Sequence, residues 1–443
     1  MAGASTAAVP PAPSGAASRD GYARGARILS VGIASTGLFT FAYFAVASHV
    51  LDSASYGAIS LLWSVLFVVI SVIYRPVEQL LSRTIAERRA RGIAGSQPLR
   101  VPLTVQGGFA AAFLVVALSL RSFIQDGFGG SATLYWVFVG ATVAYAASYF
   151  ARGYFAGHQW FGLYGGLVLF ESISRFCFPV AVAVGVASGQ SVVALGILAA
   201  PLASLVVVPW ALARHHGSAA ADGQAAPDRS LTLRAGAGFA LSVAAIQLAE
   251  QTLLNAAVLT VGATSSTALA GVVFNALLIT RAPLQLFQSV QTSLLPHLSG
   301  LEATEGREAF ARAIRITILA IAAFAGAVAV GLLAIGPWVM DAVFGGGHDY
   351  GRAGLAVIAI GMGLHLCAGT LNQAALARGQ ARAAAAAWLV VAAAFIAWMV
   401  LPVVADQLVR AEVGYAGAAA LLCALLAALY ARGGRPAAPA QRP

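Results

Sequence analysis

Six ionisable side chains lie deep inside stretches that otherwise read as hydrocarbon: Arg75, Glu78, Glu171, Arg175, Glu250 and Arg281. A charge at the centre of a bilayer costs roughly 2.5–3.5 kcal/mol on insertion scales, so each needs a counter-charge, a carbonyl or water. Two of the arginines sit in matching contexts. Residues 72–81 read VIYRPVEQLL and residues 278–287 read LITRAPLQLF, each with an apolar lead-in, an Arg, a nearby Pro and a Gln. A guanidinium fork in such a place suits oxyanions, because its parallel N–H groups match phosphate and carboxylate oxygens.

The neighbours of these charges define helix faces. Arg281, Gln285, Gln288 and Thr292 follow i, i+4, i+7, i+11; Ser64, Ser71, Arg75, Glu78 and Ser82 form a second stripe. Gln247, Glu250, Gln251 and Asn255 form a third. Such edges either bond to one another dry or line water. Glu250 is the candidate partner of Arg281, but the wide Gln-rich stripe exceeds the needs of one ion pair. We therefore expect Arg75, Arg281, Glu250, Gln285, Gln288, Gln247 and Asn255 to line a substrate cavity. Glu171 and Arg175, spaced i, i+4 with the acid first, are expected to form a structural ion pair. Glu250 and His365 are the places where ion coupling would act, although a packed neutral histidine is the plainer reading of His365. The cysteines, Cys177, Cys367 and Cys423, have neither disulfide nor metal-ligand spacing, and no metal or cofactor is expected.

The elements that position these residues follow from composition. Of 443 residues, 60% are hydrophobic and only 9% charged, which places the chain in a membrane. The cations are all arginine, since the chain contains no lysine. A helix needs about 20 apolar residues to cross a bilayer. Twelve such runs occur, near 28–50, 56–81, 101–120, 133–151, 160–187, 192–213, 235–261, 268–296, 313–336, 351–376, 383–404 and 414–430. The first is too long for the core of a signal peptide. Prolines 76, 179, 201, 283 and 402 are placed to kink the second, fifth, sixth, eighth and eleventh spans. Trp136, Trp160 and Trp338 fall at span ends, as an interfacial belt requires.

Arginine placement orients the bundle. With the N-terminus in the cytoplasm, twenty arginines fall in inner segments and only Arg121, Arg352 and Arg410 in outer ones. That is the positive-inside pattern of an even number of spans with both termini cytoplasmic. It also explains basic loops such as TIAERRARG without nucleic acid. Without lysine there is no Walker A motif, and the glycine runs at 127–130 and 345–347 are turns.

The chain also repeats itself. Arg75 and Pro76 map to Arg281 and Pro283, and Gly157 and Pro179 to Gly379 and Pro402, in order and at similar spacing. The expected fold is all-α, a polytopic membrane protein of twelve transmembrane helices in two six-helix lobes related by a pseudo-two-fold axis along the membrane normal. The lobes would be 27–213 and 235–430, joined by a cytoplasmic linker at 214–234. A disordered tail at 1–26 and a short tail at 431–443 would flank them.

At this point the residues resemble a family. The segment RILSVGIAST…LDSASYGAISLLWS, the approach YFARGYFAGHQWFGLYGGLVLFES and the run QSVQTSLLPHLSGLEATEGR look like the polysaccharide-exporter branch of the multidrug/oligosaccharidyl-lipid/polysaccharide flippase superfamily. The resemblance covers nearly the whole chain and has no single signature. It implies a flippase, not an enzyme, that moves an undecaprenyl-diphosphate-linked glycan across the bacterial cytoplasmic membrane. In related lipid II flippases arginines of the first, second and eighth spans line a cationic cavity. Arg75 and Arg281 match two of these, and Arg27, or Arg24 beside it, is the match in the first span. Those relatives have fourteen spans, which argues against the peptidoglycan-precursor role. The implied partners are membrane lipid, the polyprenyl-diphosphate glycan, and glycosyltransferases or a polymerase of the same pathway. The alternatives are a cation-coupled multidrug exporter of the same superfamily, which should carry an acidic cavity, and a membrane-bound glycan polymerase or ligase, for which the outer loops are short.

Overall fold

The computed structural model describes residues 15–90, 99–209, 232–281, 306–345, 350–377 and 380–433. The secondary structure of these residues is helix joined by short turns, with no strand among them. Ten helices are long and apolar enough to cross a membrane. They are Ser53–Ala86, Arg100–Ser119, Ala132–Gly157, Phe161–Ala183, Gln190–Val207, Gly236–Thr264, Phe310–Phe344, Arg352–Ala375, Arg382–Val400 and Gln407–Arg432. Gly15–Val50 and Thr267–Arg281 occupy the places of the first and eighth spans. Among the described residues these twelve helices stand in the order of the expected spans, and the chain is a multi-pass membrane protein.

Several boundaries depart from expectation. The first helix begins at Gly15, inside the segment expected to be a disordered tail. The fourth span runs six residues past its expected end, to Gly157, so Arg152 lies within the helix and not in a loop. The second span breaks at Tyr74, one residue before Arg75 and two before Pro76, where proline cannot donate to the preceding turn. Pro179 and Pro201 lie inside their helices. Pro402 instead falls two residues beyond the end of the eleventh span at Val400, so it follows that helix and does not kink it. The linker at 214–234 and Pro283 fall largely or wholly outside the described residues.

Helix pairing repeats between the lobes. The first span packs on the fifth as the seventh packs on the eleventh. The fourth pairs with the sixth as the tenth pairs with the twelfth, and the fifth with the sixth as the eleventh with the twelfth. Offsets of six spans are what a pseudo-two-fold duplication produces.

In lipid, apolar surface gives no drive for helices to associate, so close approach at small residues sets which helices meet. The lobes join most tightly where the second span begins. A Cβ added at Gly57 would lie 1.9 Å from the Thr267 carbonyl oxygen, so only glycine lets these backbones touch. Beside it the Tyr56 hydroxyl donates to Asn275. Phe44 meets Phe274 at 4.5 Å between ring centroids, and Phe41 meets Phe344 at 5.9 Å. The two lobes thus meet at the end of the bundle away from Arg83, and they touch again at the other end, where Arg83 lies over the Phe239 ring at 5.4 Å.

The loop before the second span has its own cap. Asp52 accepts from the backbone N–H groups of Ala54 and Ser55 at 3.1 and 3.0 Å. The Ser55 side chain, with these backbone bonds, holds its carboxyl below the usual value of 3.8. A depressed native pKa means the cap stabilises above that value and is lost as pH falls through the native pKa. Asp52→Ala is expected to lower stability by about 0.5–1 kcal/mol at pH 7. The difference from the native chain should shrink below about pH 4, read as thermal unfolding in detergent.

Candidate functional site

The fourth span carries Tyr145, Tyr149 and Arg152 at i, i+4, i+7, and the fifth carries Tyr164, Val168, Glu171 and Arg175 at i, i+4, i+7, i+11. Each set is one helical stripe, and both face the same space. Thr36 and Thr40 of the first span and Trp63, Phe67, Ile70, Arg75, Glu78 and Gln79 of the second complete its wall. The result is a chamber of about 400 Å³ inside the N-terminal lobe. Gly153 makes the enclosure possible: a Cβ there would come within 2.8 Å of the Glu78 carbonyl oxygen, so the fourth span lies directly against the second.

The chamber's charges form a connected set. Glu171 accepts from Tyr145 at 3.0 Å, from Ser148 at 3.1 Å, from Arg152, and from Arg175 at 3.5 Å. Glu78 accepts from the Tyr164 hydroxyl at 2.8 Å. Arg175 lies over the Trp63 ring, 4.3 Å from its centroid, and Arg152 over Tyr149 at 4.6 Å. Exposure falls with depth. Arg75 and Gln79 are exposed, the Arg152 side chain is 12% exposed, and the Arg175 side chain 2%. Three guanidiniums face two carboxylates, and both carboxylates are already engaged. The space therefore presents an excess of positive charge together with aromatic and hydroxyl surface.

The residues expected to line a cavity are distributed differently. Arg75 borders this chamber and donates across the lobe boundary to Gln247 at 3.3 Å; Gln247 in turn donates to Glu250 at 3.1 Å. Arg281 donates to the Leu254 backbone carbonyl of the neighbouring seventh span, and its Nε has no acceptor among the described residues. Its hydrogen-bond partner is thus that carbonyl, not the expected Glu250. Asn255 is buried, bonded to Gln251 Oε1 at 3.0 Å. His365 is buried between Trp388 and Tyr415, with ring centroids at 5.6 and 6.4 Å, in the C-terminal lobe. Gln285 and Gln288 lie outside the described residues, and Arg27 falls within the first helix. Glu171 and Arg175 do meet, but as part of a larger cluster that includes Arg152.

Sequence reasoning passed over Arg152, Tyr145, Tyr149, Tyr164 and Trp63. A signal was present in the i, i+4, i+7 spacing of YAASYFAR. The expected fourth span ends at 151, so in the sequence Arg152 reads as the first residue of an inner loop.

No protein-family model matches the chain, and no curated protein does. Solved structures do. The inward-facing conformation of a multidrug resistance MATE family transporter of the MOP superfamily superposes with a TM-score of 0.64 at 12% identity, covering 92% of this chain and 97% of that one. A Vibrio cholerae MATE transporter, VcmN, in mutant form gives 0.62 at 12% identity, with 94% and 97% covered. The outward-facing conformation of a multidrug resistance MATE family transporter gives 0.56 at 14% identity, with 94% of each covered. At these identities the likeness concerns the fold: the chain has a MATE-like transporter fold.

Proposed function

We propose that this protein is an exporter that carries an amphipathic solute across the membrane by alternating access and makes or breaks no covalent bond. The observation that carries the reading is the charged chamber of the N-terminal lobe, in a bundle whose lobes meet backbone to backbone at Gly57. A charged space of this size inside a membrane helix bundle is costly unless something polar uses it. The exposed residues of the chamber, Arg75 and Gln79, lie toward the arginine-rich end of the second span. By the positive-inside rule that side would be the cytoplasm, and the reading takes both termini to lie there and the protein to act in a bacterial cytoplasmic membrane.

On substrate, the likeness to multidrug transporters supports export of varied amphipathic molecules. A second reading, a flippase for lipid-linked glycans of the polysaccharide-exporter branch, is favoured by the chamber's surplus of arginine. An inside-negative potential would assist outward movement of such an anion by about 2.3 kcal/mol per charge per 100 mV. Under that reading glycosyltransferases or a polymerase of the same pathway supply and consume the cargo. Glu250, linked to Arg75 through Gln247, and the buried His365 are the places for ion coupling.

The test is transport by the purified protein in proteoliposomes, with a cationic dye in one arm and a prenyl-diphosphate sugar in the other. Arg75→Gln is expected to reduce flux of the anionic cargo at least tenfold while leaving dye flux intact. Dye export with no movement of the anion selects the multidrug reading, and no flux of either removes the exporter reading.

A further inference from the structure

Arg175 is the most enclosed cation in the chamber wall, about 21 Å along the fifth span from its start at Phe161. It is 2% exposed, yet its Nε and Nη1 find no acceptor among the described residues. Its contact with Glu171 is long, at 3.5 Å, because that carboxylate is shared among four donors and held more closely by Arg152. Arg152 likewise leaves its Nε without an acceptor among the described residues. Two guanidiniums on adjacent helices are therefore tethered to one carboxylate, and each keeps unused N–H groups that lie in the chamber wall closed to solvent, those of Arg175 beneath the Trp63 ring. A buried donor left unpaired costs about 1–3 kcal/mol, more when charged. A bare helix–helix lock would not leave these groups unsatisfied. An acceptor with two or more oxygens arriving from the chamber would satisfy them, and an anionic one would offset the surplus positive charge.

We propose that Arg175 and Arg152 form a phosphate-binding pole at the inner end of the chamber, with Arg75 as the exposed cation at its mouth. The pole takes the phosphate or diphosphate group of an amphipathic cargo; Glu171 orients the two guanidiniums, and Trp63 packs against Arg175 until the anion draws it away. This rests on the chamber being the solute site. Arg281, held by the Leu254 carbonyl, has no part in it.

The experiment is calorimetric titration of the detergent-purified full chain with inorganic pyrophosphate and, separately, with dodecyl phosphate. Native protein is expected to bind at least the alkyl phosphate, Arg175→Gln at least tenfold more weakly, and Arg352→Gln, at an exposed helix end away from the chamber, as tightly as native protein. Binding of pyrophosphate and alkyl phosphate alike identifies the free anion as sufficient, whereas binding of the alkyl phosphate alone identifies a lipid headgroup. If Arg175→Gln does not fold, Trp63 supplies the second readout. Phosphate should change tryptophan emission in native protein, and the change should vanish in Trp63→Phe. Absence of binding by native protein, or equal binding by folded Arg175→Gln, overturns the proposal. Binding without transport in proteoliposomes would instead sink the exporter reading and leave the phosphate pole standing.

Discussion

Glu171→Ala is expected to destabilise the protein by about 3–5 kcal/mol, the cost of removing one partner from a buried charge cluster. The carboxylate is 5% exposed and accepts from Tyr145, Ser148, Arg152 and Arg175. Without it, two guanidinium charges would face one another across the junction of the fourth and fifth spans with no counter-charge between them. Their attraction to Glu171 is what offsets the desolvation of the cluster, so its loss leaves only the repulsion between the two cations. Ser148→Ala removes one neutral donor from the same carboxylate and should cost no more than about 1.5 kcal/mol. Thermal unfolding of both variants in detergent, followed by near-ultraviolet circular dichroism, separates the two effects. If Glu171→Ala melts with the native protein, the carboxylate is not the hub of this cluster.

Gly57→Leu is expected to stop export almost completely while the protein still inserts and folds. The glycine backbone lies against the Thr267 carbonyl and against Gly271, so any side chain must part the lobes there. Overpacking of this kind costs about 1–3 kcal/mol, and the cost falls only on the conformation in which this end is closed. A bias of that size changes a two-state ratio by roughly 5–150-fold, away from the state in which the chamber loads. Labelling of a cysteine introduced at Asn275, beside the Tyr56 contact, reports the opening. It should react with an impermeant thiol reagent faster in the Gly57→Leu background than in the native one. Equal labelling would mean that this contact is not the closed gate. Gly107, around which a Cβ would meet nothing within 4 Å, is the control: Gly107→Ala should leave both labelling and transport unchanged.

Much of this protein is legible without a structure. Hydropathy is a local property, so ten of the apolar runs coincide with helices of spanning length among the described residues, with ends up to eight residues apart. Arginine asymmetry is local too, and the proposed mechanism takes its orientation from it. The cost of an intramembrane charge singled out Arg75, Glu171 and Arg175, all three of which border the chamber. Helix ends are less well marked, and the six-residue error at the fourth span was enough to hide Arg152.

Tertiary packing alone decided which polar stripes meet. A stripe on one helix does not name its partner, because in lipid the choice of neighbour depends on backbone shape at small residues and not on apolarity. Thus Gly153 against Glu78 brings Arg152 into a chamber within one lobe, whereas the sequence pattern pointed to a space shared with the seventh and eighth spans. For the same reason Arg281 bonds a backbone carbonyl, a group every residue carries and no residue type advertises. Charge type and depth are written along the chain, but the pairing of charges depends on contacts between helices far apart in it.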